Sequence, residues 1–130
     1  MANPNVVGVS SIYGQSMGEA LSTTLTTDIL TVQSNKLLKI NFIQVTNTHA
    51  TASTDVTVAV TKVAYTSGGI ADAEDNAGTF ALASAVRLNT DGVLVVLDKP
   101  IYLMEGDQLE AGANPATADI FVSFEVIDDA

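Results

Sequence analysis

Strict alternation of apolar and polar side chains is the feature that most constrains this chain. Over residues 55–63, Val56, Val58 and Val60 fall on one side, with Thr57, Ala59 and Thr61 on the other. A direction that reverses at every residue is the period of a pleated strand, not of a helix. Ile120, Val122, Phe124 and Val126 repeat the pattern, with Ser123 and Glu125 opposite. Phe121 and Ile127 also fall on that outer side, so its ends are expected to be covered.

The stretch KLLKINFIQVTN, residues 36–47, starts with Leu38, Ile40 and Phe42 facing in and continues with Ile43 and Val45 on the opposite parity. Either a bulge resets the register or both faces are buried. GVLVVL, residues 92–97, reads as a short strand buried on both sides. Short strands are predicted over 101–104 and 108–113 around the turn Glu105-Gly106-Asp107. Others are predicted over 28–32, 83–88 and 18–24. Ser34-Asn35, Asn89-Thr90-Asp91-Gly92, Lys99-Pro100 and Asn114-Pro115 are turn or breaker signals. Asp91-Gly92 between two apolar runs signals a hairpin. About eight or nine short strands punctuated this way predict an all-β chain, an antiparallel jelly-roll or Greek-key β-sandwich.

Composition narrows the functions open to such a sandwich. At 130 residues the chain suits one domain, and 47% hydrophobic residues suffice for a core. With aromatics at 5% and no Trp, that core is aliphatic. Five Lys and Arg against fifteen Asp and Glu give a net charge of -10. So few cations form no track for a phosphate backbone and no attraction to an anionic membrane, so neither nucleic acid nor membrane is an expected partner. The absence of Cys removes disulfides, thiolate metal sites and thiol catalysis. MANPNVVGVSSIYG has no basic segment and no long apolar run, so no secretory signal is expected. No stretch reaches the roughly 20 apolar residues of a membrane-spanning helix.

Two segments stand outside the strand pattern. Residues 1–17 carry Val6, Val7, Val9, Ile12 and Tyr13, with glycines at 8 and 14. They read as an extended N-terminal arm whose apolar side chains need a surface to cover, on the sandwich itself or on a neighbouring subunit. Residues 66–78 (TSGGIADAEDNAG) form a long loop with Ile70 near its middle, and loops of that length are usually functional or mobile. The expected organisation is therefore an arm over 1–17 and a single sandwich domain over 18–130. Val6, Val7, Val9, Ile12, Tyr13 and Ile70 are the candidate interface residues.

Motifs with catalytic or metal chemistry are sparse. Gly14-Gln15-Ser16-Met17-Gly18 matches G-x-S-x-G, and Ser16, Asp28 and His49 follow in hydrolase order. That motif needs a strand before the Ser and a helix after it, and the Thr-rich EALSTTLTT that follows is strand-like. The alternative is a Gly-bounded hinge between arm and first strand. His49, the one histidine, lies in a polar turn without a nearby acid or second ligand and reads as solvent-facing. Asp72, Glu74, Asp75 and Asn76 supply oxygen donors of the kind calcium takes, without the spacing of a known loop. A solvated acidic loop is the simpler reading. Asp128-Asp129 reads as a solvated end that discourages edge pairing. No catalytic residue, cofactor or metal is expected.

The order of a short arm, a Gly-containing kink, a Thr-rich strand, then KLLKINFIQVTNT, DVTVAVTKVAY, VLVVLDKPIYLMEGDQLEAGAN and ADIFVSFEVID resembles the small β-sandwich virion proteins of tailed bacteriophages, including cyanophages. LDKPIYLMEGDQLEA, residues 97–111, carries most of the likeness. There a strand ends at a Lys-Pro kink and a YLxEGDxL hairpin precedes the last strands. The resemblance covers about residues 14–128, and its motifs are structural. It implies a virion structural protein assembled in the host cytoplasm. The first expectation is a capsid decoration (cement) protein that binds the major capsid protein, and the alternative is a neck, collar or tail component. A homo-oligomer is expected, a trimer as first choice. A carbohydrate-binding module is the reading from another class. Such modules stack sugars on Trp or Tyr, and this chain offers only Tyr13, Tyr65 and Tyr102.

Overall fold

The structure, a computed structural model, describes residues 9–23, 27–65, 77–97 and 99–129. Among these residues nine strands run in order: β1 (Val9–Ala20), β2 (Thr27–Thr31), β3 (Lys36–Asn47), β4 (Thr54–Lys62), β5 (Gly78–Leu88), β6 (Val93–Leu97), β7 (Ile101–Leu103), β8 (Gln108–Asn114) and β9 (Ala118–Asp129). No helix occurs among the described residues.

The strands form two antiparallel sheets. The first has the order β1-β9-β3-β6, with β7 also paired to β3, and the second has β2-β8-β4-β5. The pairs β1·β9, β2·β8, β3·β6 and β4·β5 are nested along the chain. That nesting is what a long hairpin makes when it rolls into two facing sheets, so the sandwich is a jelly roll.

The alternation places the core. Directly opposite residues on neighbouring strands share a face. Leu38, Ile40, Ile43 and Val45 of β3 stand opposite Val126, Phe124, Val122 and Ile120 of β9. Val56, Val58 and Val60 of β4 stand opposite Ala113, Ala111 and Leu109 of β8. These rows belong to one buried cluster between the sheets. Each fully buried Val, Leu or Ile contributes roughly 1.5–3 kcal/mol.

Several elements differ from the sequence reading. The parity change in β3 is a bulge, because the β3–β9 register shifts between Ile40 and Phe42. Phe42 therefore leaves the core side and pairs with Ser123 on the outer face. GVLVVL is an edge strand rather than one buried on both faces: Val93 and Val95 are exposed while Leu94 and Val96 pack inward. Asp91-Gly92 makes the predicted turn but not a hairpin, since β5 and β6 lie in different sheets. In that turn Asp91 has φ 56° and the Gly92 N–H donates to the Asn89 carbonyl at 2.9 Å. A Cβ on Gly92 would lie 2.8 Å from the same oxygen.

The largest difference is at the N-terminal side. Residues 9–17, assigned from sequence to the arm, belong to β1, which pairs with β9 of the same chain. Gly14 and Gly18 lie inside that strand and form no hinge. β1 ends at Ala20 and residues 21–23 are not strand, so the start of the strand predicted over 18–24 is the end of β1.

Candidate functional site

Two polar clusters hold the loops at the ends of the sandwich. Asn47, fully buried at the end of β3, donates from Nδ2 to the carbonyls of Ala52 (2.8 Å), Leu88 (3.2 Å) and Asn89 (3.1 Å). Its Oδ1 accepts from the His49 N–H (3.0 Å) and the Thr117 hydroxyl (3.1 Å). One amide thus ties the β3–β4, β5–β6 and β8–β9 connections together. In the second cluster Asp107, also fully buried, accepts from the amides of Met104 (2.8 Å) and Val63 (3.0 Å) and from the Lys62 ammonium. Its carboxylate organises the Glu105-Gly106-Asp107 turn, where Gly106 has φ 88°. Sequence reading found the turn but gave Asp107 and Asn47 no role. An Asp at the close of a tight turn and an Asn ending a strand are the signals that pointed there.

The residues of the G-x-S-x-G reading do not meet. Ser16 sits mid-strand in β1 on the outer face of the first sheet, opposite Ser123. Asp28 is on β2 in the second sheet, where the Gln108 amide donates to it at 3.3 Å. His49 lies in the β3–β4 connection. The motif is continuous strand, not the strand–turn–helix an elbow requires. Nor is His49 a bystander: its Nδ1 accepts from the amides of Thr51 (3.0 Å) and Ala52 (2.9 Å), which fixes the turn.

Asp72, Glu74, Asp75 and Asn76 lie outside the described residues. Among the described residues no group of three His, Cys, Asp or Glu is placed to hold a metal. Asp128 is not a solvated end, because it lies in β9 and pairs with Lys36 at 2.7 Å. Lys39–Glu125, Lys62–Asp107 and Arg87–Asp55 are the other ion pairs among the described residues. Four of the five basic residues are thus matched to acids of the same chain.

Of the candidate interface residues, Val6, Val7 and Ile70 lie outside the described residues. Val9 begins β1. Ile12 and Tyr13 are adjacent on β1 and more than half exposed, on opposite faces. Ile12 stands opposite Ile127, which with Leu37 on its other side is buried by Met104 and Tyr65 in a small cluster on the outer face. The expected cover is therefore present at Ile127. It is absent at Phe121, which is 47% exposed.

The register assembles an apolar surface that the sequence reading did not name. Across the outer face of the first sheet one row runs Gly18, Phe121, Gln44, Val95. The next runs Ala20, Asp119, Thr46, Val93. Val93 and Val95 are about half exposed. A shallow open depression beside Phe121 is lined by Gly18, Ala20, Thr46 and Asp119 among others. On the second sheet Phe80 and Leu82 of β5 are exposed as well. The tyrosines form no shared platform. Tyr13 is on the inward side of β1, Tyr102 is on the outward side of β7 beside Lys39, and Tyr65 packs in the Leu37 cluster.

No family model and no curated protein matches the chain. Among solved structures it is similar to the VP2 subviral particle of infectious bursal disease virus, at 13% identity and TM-score 0.43. That match covers 92% of this chain and 33% of the viral one. T=1 particles derived from infectious bursal virus match at 8% identity and TM-score 0.34, over 92% of this chain and 36% of that one. A chain of the disulfide-linked pili that form Bacillus endospore appendages matches at 10% identity and TM-score 0.41, over 92% and 88%. The chain thus spans about a third of the viral chains it matches. At these scores the likenesses carry no assignment of function.

Proposed function

We propose that the chain is a virion structural protein, a decoration (cement) protein that binds the assembled major capsid shell of a tailed phage. The observation that carries this reading is the exposed apolar surface of a sandwich held rigid at both ends. Phe121, Val93 and Val95 share one outer face, with Tyr102 farther along it. Exposed apolar side chains gathered on one sheet face, here with Gln44 and Thr46 between them, suit a contact surface. The remaining charge is strongly acidic, which keeps the free protein soluble before assembly. The resemblance of residues 97–111 to phage virion proteins supplies the kind of partner. Jelly rolls serve viral capsids and lectins alike, so the fold alone does not choose between them.

In this reading the chain performs no catalysis and needs no cofactor, and its place is the particle, assembled in the host cytoplasm. Co-sedimentation tests it. Purified chain is mixed with assembled shells and, separately, with unassembled capsid protein. Saturable binding to shells supports the reading. Chain left in the supernatant at saturating shell concentration overturns it.

A further inference from the structure

We propose that β1 is a self-pairing edge, and that two copies of the chain join antiparallel through it about a two-fold axis at Ser16. This pairing does not depend on the virion reading.

Among the described residues the two sheets have four edges, and three of them are blunted in ways that disfavour strand addition. The edge beside β3 is made of two pieces of five and three residues, with Lys99-Pro100 between them. β2 has five residues and a register shift between Asp28 and Leu30. β5 has two register shifts, and Ala85 within it takes φ 47°. β1 has no such device. Its register with β9 is unbroken from Ser11 to Ala20. That stretch holds no Pro, Lys or Arg, and Glu19 is its one charge.

Backbone geometry shows what the edge offers. The Leu21 N–H donates to the Ala118 carbonyl at 2.9 Å, one step beyond the Ala20–Asp119 pair. Antiparallel pairs alternate between hydrogen-bonded and non-hydrogen-bonded. The odd residues of β1 therefore turn their N–H and C=O toward β9. The even residues, Ile12, Gly14, Ser16, Gly18 and Ala20, turn theirs to the open edge. Among the described residues nothing pairs with them.

A second copy is the occupant that fits. Pairing with its own copy favours a long, regular strand that sets no like charges opposite each other, and β1 is the one edge among the described residues that qualifies. With Ser16 on the axis, Gly14 meets Gly18 of the partner subunit and Ile12 meets Ala20 of the partner subunit. On the other face the Tyr13 phenol meets the Glu19 carboxylate of the partner subunit, twice by symmetry. Registers that set Glu19 against its own copy place like charges opposite each other and are disfavoured. The side chains flanking the axis on the outer face are Gly, Ser and Gly, so nothing bulky blocks approach. A dimer about this axis differs from the trimer expected from the sequence.

Sedimentation equilibrium on the full chain, with variants at Ser16, tests the pairing. The wild type should sediment at twice its 13.5 kDa chain mass. Ser16→Pro removes one edge-facing donor and leaves the β9 ladder intact, a position where an edge strand tolerates Pro. Ser16→Lys sets two ammonium groups at the axis. Each should raise the dimer dissociation constant at least about tenfold with an unchanged far-UV spectrum, and Ser16→Lys decides if Ser16→Pro fails to fold. Because the chain has no Cys, Ser16→Cys should form a disulfide dimer on mild oxidation, and Thr57→Cys on the second sheet should not. A monomeric wild type at about 1 mM, a trimer, or two variants that associate as tightly as the wild type would overturn the proposal.

Discussion

The Lys62 ammonium, at the end of β4, closes on the carboxylate of Asp107, which is fully buried in the turn between β7 and β8. The contact joins the second sheet to the turn that follows the last short strand of the first. Two backbone amides share the same carboxylate. Removing one partner of such a pair leaves a buried group unsatisfied, and typically costs about 3–5 kcal/mol. Asp107→Ala is therefore expected to destabilise by about that much in urea unfolding. Lys62→Ala should cost less, because the amides of Val63 and Met104 still serve the carboxylate.

Asn47 clamps three connections, so its loss should be felt at all of them. Asn47→Ala leaves carbonyls of Leu88 and Asn89 without their donor, at about 1–3 kcal/mol for each group left unsatisfied. Asn47→Asp should be worse, because an acceptor would then face three carbonyl oxygens. Gly92→Ala should also destabilise through the close approach to Asn89. Chemical denaturation measures all three, and wild-type stability for Asn47→Ala would show that the clamp contributes nothing.

The core assignment predicts that Val58→Asp and Phe124→Asp each cost several kcal/mol, since both put an unpaired charge among aliphatic side chains. Cooperative unfolding at the wild-type midpoint in either variant would contradict the inward facing of Val58 and Phe124.

Legibility followed burial. Val56, Val58 and Val60 declare their strand because one of its faces packs against the opposite sheet, and the same holds for β9. β1 is silent because an edge strand covers little core. Its inward residues are Tyr13, Gln15, Met17 and Glu19, which carry no apolar period. Val93 and Val95 mislead for the opposite reason: they are apolar yet face outward, so the run looks buried on both sides. Phe42 could not be placed, since a bulge at Ile40–Phe42 leaves no mark that composition can read. The apolar surface was illegible because its residues come from β6 and β9, and only the register joins them.

Ala85 sits in the left-handed region on β5, where its N–H donates to the Thr57 hydroxyl at 3.0 Å. Such a conformation costs a non-glycine residue roughly 1–2 kcal/mol. Ala85→Val should destabilise, and Ala85→Gly should not, as read from thermal unfolding of the two variants side by side.

The exposed patch makes a prediction of its own. The double substitution Phe121→Ser, Val95→Ser should change folding stability by less than about 1 kcal/mol, because both side chains are half in water. It should weaken binding to assembled shells at least about tenfold. Unimpaired binding would move the contact surface elsewhere on the sandwich.

Membership of a virus particle is tested most directly by quantitative mass spectrometry of gradient-purified particles, made by the system that encodes the chain. The chain is expected to co-migrate with the major capsid protein at particle density, in a fixed ratio that survives repeated purification. A chain found only in the soluble fractions, with none in the particle band, would contradict a virion role.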